Sequence, residues 1–356
     1  MRKNNKLELV KIRSNIDIID NKILKLLNQR ASFAKKTTKF KPNNIYDPKR
    51  EREVLNNLSK NKAEHLTPQS IKQIYGEILS ACREVQAPIE VSYLGPEGSN
   101  TGEVAKRQFG NSATFFSQQT ISDVLTSIEK EEADFGIVPL ENSLEGPVVE
   151  TLDGLVEKNV NIISQIDLKI SHFLMSQEKS TMNIDKIYSH PQALAQCKKY
   201  IQKFFLKVEL IEVQSTARAA QIVSGKKKSA AIAPRACSSL YSLNILDKNI
   251  QDNSSNTTVF ALVEKASGDP KVLKNSKVSV AFSLDHKPGS LHQCLKPFRD
   301  SKINLTKIQS RPSKKNDWDY LFFIDFVVDR NIKEAQTCLK ILKEKTPFLK
   351  ILGVFT

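Results

Sequence analysis

Residues 86–95, QAPIEVSYLG, divide the sequence into two parts of different character. Before them, the chain contains no glycine or proline as far as Pro42, and apolar residues recur at helical spacing. After Pro88, short apolar runs alternate with helical patterns, beginning with IEVSYLG at 89–95. Such alternation is typical of an α/β domain with mostly parallel sheets. We therefore predict an all-helical domain over 1–88 and an α/β domain after it.

Three helices are predicted in the amino-terminal domain. The first spans roughly residues 6 to 40, and KPNN ends it at 41–44. The second starts in DPKREREVLNNLSK, with Pro48 near its first turn, and the third starts behind Thr67 in TPQSIKQIYGEILSACREVQ. Proline is tolerated at the start of a helix, so both positions favour helix beginnings.

A third pattern follows the linker ASGDPKVLKN at 266–275. The predicted elements are a strand at 278–284, a helix at 288–301, strands at 303–310 and 319–328, a helix at 332–345 and a strand at 349–355. This order is that of a βαββαβ ferredoxin-like module. The predicted domains are therefore 1–88, 91–264 and 277–356.

Composition excludes several classes of protein. The chain has 356 residues and a net charge of +15, from 54 Lys and Arg against 39 Asp and Glu. The positive charge could indicate a nucleic-acid partner, but no basic stripe interleaves with aromatic residues, so we predict none. Five scattered cysteines without metal-ligand spacing predict neither disulfides nor a metal site, and no cofactor is expected. The absence of a membrane-length apolar run and of a signal-peptide pattern predicts a cytoplasmic protein without membrane contact.

Cations are concentrated on the predicted helices. Each alone is commonly a solvated surface charge. Arg13 and Arg30 would lie about 25 Å apart on one helix, so a single small molecule could reach both only if Arg13 came from an antiparallel partner. Arg30 and Lys41 would lie about 16 Å apart on nearly the same face, which two long side chains and a small dianion would fill. This geometry predicts a dicarboxylate site in a helical dimer.

Three motifs, at 12–34, 47–55 and 77–86, resemble the all-helical chorismate mutase family: IRSNIDIIDNKILKLLNQRASFA, DPKREREVL and EILSACREVQ. The resemblance implies a rearrangement of chorismate to prephenate without a cofactor. It also implies roles for eight residues. Arg13 of the partner subunit, Arg30 and Arg50 would bind the substrate carboxylates or shape the site. Lys41 and Gln86 would donate to the ether oxygen. Asp47 and Glu51 would bound the substrate hydroxyl, and Cys82 would line the pocket.

Polar residues follow four predicted strands of the α/β region, in YLGPEGSNT, GIVPLENSLEGPV, YSHPQALAQC and VQSTARAA. Loops after parallel strands commonly bind ligands. Plain turns, a helix cap at Ser215 or Thr216 and structural roles for His172 and His190 remain the alternatives.

With the TTVF string at 257–260, these four strings resemble prephenate dehydratase. The resemblance implies that Thr258 is catalytic and acts on the departing hydroxyl. The residues expected to line the substrate cleft between two lobes are Asn142, Ser189, Gln196 and Thr216. Val259 occupies the place of a family arginine, so a weakened dehydratase is a second hypothesis.

The carboxyl-terminal strings HKPGSLHQCL and INLTKIQSRPSKKNDWDYLFFIDF resemble the ACT regulatory domain of the same enzymes. The implied effector is phenylalanine. The residues expected to bind it are Gly289, Ser290, Leu291, Gln309, Ser310, Arg311 and Pro312, with Gln309 in place of a family glutamate.

Taken together, the chain resembles the bifunctional chorismate mutase and prephenate dehydratase family. The implied partners are chorismate, prephenate, L-phenylalanine and at least one further copy of the chain. The alternatives are a mutase with an impaired dehydratase and a non-enzymatic amino-acid sensor.

Overall fold

The computed structural model describes residues 2–40, 46–60, 64–312, 320–329 and 331–355. Its contacts form two units, Met1–Ile89 with Lys106–Thr114, and Glu90–Ala105 with Phe115–Thr356. Within the described residues, no helix combines the length and apolarity that crossing a membrane requires.

The first unit contains the three predicted helices: α1 (Arg2–Thr37), α2 (Pro48–Lys60) and α3 (Pro68–Glu84). Thr67 caps α3, because its hydroxyl accepts a hydrogen bond from Ser70 N at 3.1 Å. Helix α1 leaves many apolar side chains in solvent, among them Ile12 at 54%, Ile19 at 53% and Leu26 at 63% exposure. An exposed apolar surface of this extent is typical of a protein interface.

The region between residues 90 and 265 alternates strands with helices. Its strands are β1 (Glu90–Leu94), β2 (Thr114–Gln118), β3 (Phe135–Asn142), β4 (Gly146–Pro147), β5 (Val160–Lys169), β6 (Phe173–Ser176), β7 (Lys186–Ser189), β8 (Glu209–Glu212), β9 (Ser229–Ala233), β10 (Asn244–Lys248) and β11 (Thr257–Lys265). Its helices are α4 (Asn100–Phe109), α5 (Ile121–Glu129), α6 (Val149–Glu157), α7 (Pro191–Gln196), α8 (Lys198–Phe204), α9 (Thr216–Val223) and α10 (Ala236–Leu240).

The remaining elements are β12 (Ser276–Ser283), α11 (Ser290–Asp300), β13 (Leu305–Pro312), β14 (Tyr320–Val328), α12 (Ile332–Lys345) and β15 (Leu349–Phe355). They follow the predicted βαββαβ order. Their strands are arranged β15-β12-β14-β13, and all three neighbouring pairs are antiparallel.

Both sheets are mixed, so the prediction of mostly parallel sheets is wrong. The large sheet has the order β13-β14-β12-β15-β5-β11-β3-β1-β2, with β4 beside β3, and the smaller one β10-β6-β9-β7-β8. Strand β11 returns from the smaller sheet and runs antiparallel to both β3 and β5. The apolar run of β11 does not reveal its direction, because a strand buried on both faces has the same composition in either orientation.

The carboxyl-terminal strands continue the large sheet through β15 and β5, which pair at Gly353 and Ile162. A Cβ atom at Gly353 would collide with the Ile162 carbonyl oxygen, so this close approach requires glycine. One apolar core includes Val263 of β11, Phe323 of β14 and Leu352 of β15. The division between residues 264 and 277 therefore stays a prediction.

Candidate active sites

The first candidate site lies in the helical unit, where Glu51 of α2 forms an ion pair with Arg83 of α3. The Arg83 and Glu51 side chains are only 6% and 17% exposed. Arg83 also donates to Phe109 O at 2.6 Å and lies 5.4 Å from the Tyr46 ring centre. Burial raises the pKa of the Glu51 carboxyl, and the positive charges of Arg83 and then Arg30 oppose this rise. Arg83 is not among the predicted site residues, although the EILSACREVQ motif contains it.

Other predicted residues of this unit lie on α1 and around the start of α2. Arg30 is partly buried, and Asp47 adds a negative charge that acts on Glu51. The Asp47 carboxylate accepts from Arg50 N at 3.0 Å, which caps the first turn of α2. The Arg50 side chain is exposed and forms an ion pair with Glu53 at 3.5 Å. The arrangement therefore brings positive and negative side chains together beside a buried carboxyl group.

Gln86 and Cys82 are joined at the end of α3. Gln86 Nε2 donates to Cys82 O at 3.0 Å, and the Thr37 hydroxyl donates to Gln86 Oε1 at 3.4 Å. Cys82 is buried, whereas Arg13 is exposed on α1. Lys41 lies outside the described residues.

The second candidate site is a cleft of about 490 Å³ in the second unit. It is lined by the carboxyl-terminal ends of β1 and β3, by the start of β11 and by the amino-terminal ends of α4, α7 and α9. The described residues of its lining include no lysine or arginine, and Glu145 is their single carboxylate. Helix amino termini and neutral donors can hold an anion without a cation.

The Asn142 side chain makes four hydrogen bonds in this cleft. Its Oδ1 accepts from Leu144 N at 3.0 Å and from Glu145 N at 3.3 Å. Its Nδ2 donates to Asn256 Oδ1 and to Thr258 Oγ1, each at 2.8 Å. Thr258 therefore receives a hydrogen bond, and its own hydroxyl hydrogen can be donated to a ligand.

Gln196 belongs to the same hydrogen-bond network. Its Oε1 lies 3.2 Å from Asn256 Nδ2 and 2.9 Å from His172 Nε2. Burial lowers the pKa of His172, and the hydrogen bond with Gln196 opposes this shift. Gln196 is a predicted cleft residue, whereas Asn256, two residues before Thr258, is not among the predicted ones.

Comparison with known proteins identifies two family models along the chain. A family model described as chorismate mutase type II matches residues 12–87, and one described as prephenate dehydratase matches residues 91–268. The bifunctional chorismate mutase/prephenate dehydratase of Aquifex aeolicus is 41% identical over 355 residues, which cover 98% of each chain. The chain belongs to this bifunctional family.

Two solved structures are similar to the dehydratase part of this family member. The prephenate dehydratase from Arthrobacter aurescens, in complex with L-Phe, has a TM-score of 0.68 at 28% identity and covers 75% of this chain and 90% of its own. The prephenate dehydratase from Staphylococcus aureus has a TM-score of 0.65 at 27% identity and covers 75% of this chain and all of its own. The α/β fold of the second unit is thus that of the dehydratases.

The structure corrects the placement of Ser189. This side chain is fully buried, and its hydroxyl donates to Ile232 O at 2.6 Å, so it supports the contact of β7 with β9 and is not part of the cleft lining. Thr216 does line the cleft at the start of α9. Ser215 is the cap of that helix, as the alternative interpretation held, and accepts from Arg218 N at 3.0 Å.

Val259 faces away from the cleft. Successive residues of a strand point to opposite faces, and both Thr258 and Phe260 line the cleft. On the other face, Val259 stands opposite Glu141 of β3. The Glu141 carboxylate forms an ion pair with Lys307 of β13 at 2.6 Å.

The predicted effector residues lie in two places. Gly289 precedes α11 with a φ of 85°, a conformation that favours glycine, and Ser290 and Leu291 open that helix. Alternation along β13 gives Gln309 and Arg311 partly buried positions, while Ser310 and Pro312 are exposed.

Arg311 is already engaged within the chain. It forms an ion pair with Asp153 of α6, and both side chains are nearly buried, at 12% and 11% exposure. It also donates to Val149 O at 3.1 Å. The structure therefore joins Arg311 to the dehydratase region, which the effector prediction did not anticipate.

Proposed function

We propose that the chain catalyses two successive reactions, the rearrangement of chorismate to prephenate in the helical unit and the conversion of prephenate to phenylpyruvate in the cleft. The three-domain division at 1–88, 91–264 and 277–356 belongs to this proposal. The observation that carries it is the presence of two chemically different sites on one chain, one rich in charged side chains and one lined by neutral donors.

The mutase step breaks an ether C–O bond and forms a C–C bond within one molecule, so the protein supplies no nucleophile. Its contribution is to hold the compact conformer and to stabilise negative charge on the ether oxygen. Arg30, Arg50 and the partner subunit's Arg13 would bind the two carboxylates. Gln86 and Lys41 would donate to the ether oxygen. Asp47, Glu51 and Cys82 would surround the ring and its hydroxyl.

This site needs a second copy of the chain, because Arg13 and Arg30 belong to one long helix. The exposed apolar side chains of α1 support a homodimer, since pairing of two such helices would bury them. Size measurement by light scattering tests this part of the proposal, and a monomer with full mutase activity would contradict it.

The dehydratase step removes the ring carboxylate as CO₂ and the ring hydroxyl as water. The electron pair of the breaking C–C bond enters the ring, the C–O bond breaks, and the departing oxygen takes up one proton. We assign to Thr258 a hydrogen bond to that oxygen, because Asn142 occupies its acceptor site and leaves its hydrogen available. Gln196 and Thr216 would orient the substrate directly, and Asn142 would orient it through Thr258, because Asn142 donates both amide hydrogens within the protein. Ser189 would act only by holding β7 against β9.

The lining favours decarboxylation over simple binding. A cation beside the departing carboxylate would stabilise the ground state and oppose the loss of CO₂. Neutral amide and hydroxyl donors orient the anion with less ground-state stabilisation. The lack of lysine and arginine among the described lining residues therefore supports a dehydratase.

We assign the carboxyl-terminal module to the ACT class and propose L-phenylalanine as its effector. The βαββαβ order supports the first assignment, and a similar dehydratase was solved in complex with L-Phe. Gly289, Ser290 and Leu291 would contact the amino acid at the start of α11, with Gln309, Ser310 and Pro312 on β13. Arg311 would act by linking β13 to the dehydratase region.

A product assay tests the whole proposal. Purified protein given chorismate should form phenylpyruvate, and L-phenylalanine should slow the second step. Prephenate accumulating alone would support the hypothesis of an impaired dehydratase. No turnover of either chorismate or supplied prephenate would support the non-enzymatic sensor instead.

A further inference from the structure

Hydrogen bonds join the side-chain amide groups of the cleft in a network. Two backbone N–H groups fix which amide atom donates and which accepts at each step of this network. Leu144 N and Glu145 N can only donate, so the Asn142 oxygen is the atom that faces them. The Asn142 nitrogen must then face Asn256 and Thr258, and it supplies one hydrogen to each. The first two links of the network are therefore fixed by the main chain of the loop after β3.

The hydrogen-bond network continues from Asn256 through Gln196 to His172. Asn256 accepts through Oδ1, so its Nδ2 donates to Gln196 Oε1. That oxygen also faces His172 Nε2, which must donate and therefore carries the ring proton. In the described part of the chain, His172 Nδ1 has no hydrogen-bond partner, which agrees with a neutral ring that is unprotonated at Nδ1.

The hydrogen-bond network determines whether the cleft presents donors or acceptors to a ligand. Thr258 and Gln196 both line the cleft. The Gln196 oxygen already accepts two hydrogen bonds, so its Nε2 hydrogens can be donated to a ligand. Thr258 accepts from Asn142, so its hydroxyl hydrogen can be donated as well. Both groups therefore present hydrogens rather than lone pairs, as an anionic substrate with a departing hydroxyl requires.

We propose that Asn256 is a positioning residue that sets this donor polarity. Asn256 is 2% exposed, and it is the link through which the orientation of Asn142 reaches Gln196 and His172. The effect on turnover rests on the proposed dehydratase function, whereas the effect on the His172 tautomer does not.

The test is the Asn256→Asp variant, which keeps the shape and removes the donor. The ionised carboxylate of this variant still accepts from Asn142 but repels the Gln196 oxygen, so the Gln196 amide reverses. His172 Nε2 then faces a donor, and the ring proton moves to Nδ1. Protonation of the new carboxyl group at low pH restores a donor and the original tautomer. Wild-type protein should show no such pH-dependent exchange.

Ring-nitrogen NMR shifts of protein labelled with ¹⁵N-histidine measure the tautomer directly. The chain has five histidines, and a His172→Gln variant assigns the signal. We expect wild-type protein to carry its proton on Nε2 and the Asn256→Asp variant to lose it above the pKa of the new carboxyl. The kcat/KM for prephenate should fall about ten- to a hundredfold in the same pH range.

Asn161→Asp is the matched control. Asn161 of β5 is also a buried asparagine, but its amide donates to Gly268 O at 3.3 Å, and it does not line the cleft. This variant should leave the His172 signal unchanged. Gln196→Glu is the second variant, because its carboxylate can still accept from Asn256 Nδ2 and His172 Nε2 but has no N–H group for a ligand. It should retain the Nε2 proton while turnover is lost.

The tautomer result separates the two proposals. A proton that stays on Nε2 at every pH in Asn256→Asp would overturn the positioning role. Exchange of the tautomer in a protein that never forms phenylpyruvate would uphold the positioning role and overturn the dehydratase function.

Discussion

Replacing Thr258 by valine removes one hydroxyl from the cleft and little else. The side chain is 8% exposed, and its Oγ1 is the acceptor for Asn142 Nδ2 at 2.8 Å. Valine has nearly the same shape, so the change deletes the proposed donor to the departing oxygen. It also leaves one buried hydrogen of Asn142 without an acceptor.

The two losses have different magnitudes and different readouts. Loss of a single preorganised donor to developing negative charge costs about 2.7–4 kcal/mol, or about 10²–10³ in kcat. An unsatisfied buried N–H group costs about 1–3 kcal/mol of folding stability. We therefore expect Thr258→Val to lose at least about a hundredfold in prephenate turnover while remaining folded.

The assay follows phenylpyruvate from supplied prephenate and, separately, prephenate from chorismate. Thr258→Ser, which keeps the hydroxyl, should retain most of the dehydratase activity, and both variants should retain mutase activity. Dehydratase activity of Thr258→Val within about threefold of wild type would remove this hydroxyl from the mechanism, since the lost donor is worth about a hundredfold or more. Parallel loss of both activities would indicate damage to the whole protein.

Three further results are expected. Lys307→Met should lower the melting temperature by about 2–4 °C in thermal denaturation, because Glu141 loses its partner, and Lys307→Arg should not. Arg83→Met should abolish mutase activity and lower the free energy of unfolding in urea by about 3–5 kcal/mol, because Glu51 stays buried without its cation. Arg83→Lys should recover part of the activity and part of the stability. Acidification below about pH 6.5 should destabilise the protein, because the lowered pKa of His172 makes the unfolded state take up the proton first, and His172→Gln should reduce this slope.

The predicted elements agree closely with the observed ones where periodicity is strong. The strand predicted at 349–355 is observed at Leu349–Phe355, and the helix predicted at 332–345 at Ile332–Lys345. Local pattern decides these elements because each has one apolar face and a clear terminal signal. The long helix predicted at roughly 6 to 40 is observed at Arg2–Thr37, since the polar run RKNN at 2–5 gives no apolar pattern to extend.

The sequence could not predict which distant groups meet. Asn256 and Gln196 are 60 residues apart and touch only because β11 returns beside β3 and β5. Arg311 pairs with Asp153 because β15 and β5 join two parts of one sheet. Ser189 resembled a ligand residue by its place after a strand, but the pleat turns its hydroxyl to the neighbouring strand. Tertiary pairing decides all three outcomes.

Val259 shows how such pairing changes the meaning of a substitution. Valine in place of a family arginine, next to the proposed catalytic Thr258, is the basis of the second hypothesis, a weakened dehydratase. The strand places the two side chains on opposite faces, so position 259 cannot supply a cation to the cleft. On its own face stands Glu141, whose negative charge is already balanced by Lys307 of β13. A positive charge at position 259 would therefore duplicate a contact that β13 provides, and the valine is compatible with a working cleft.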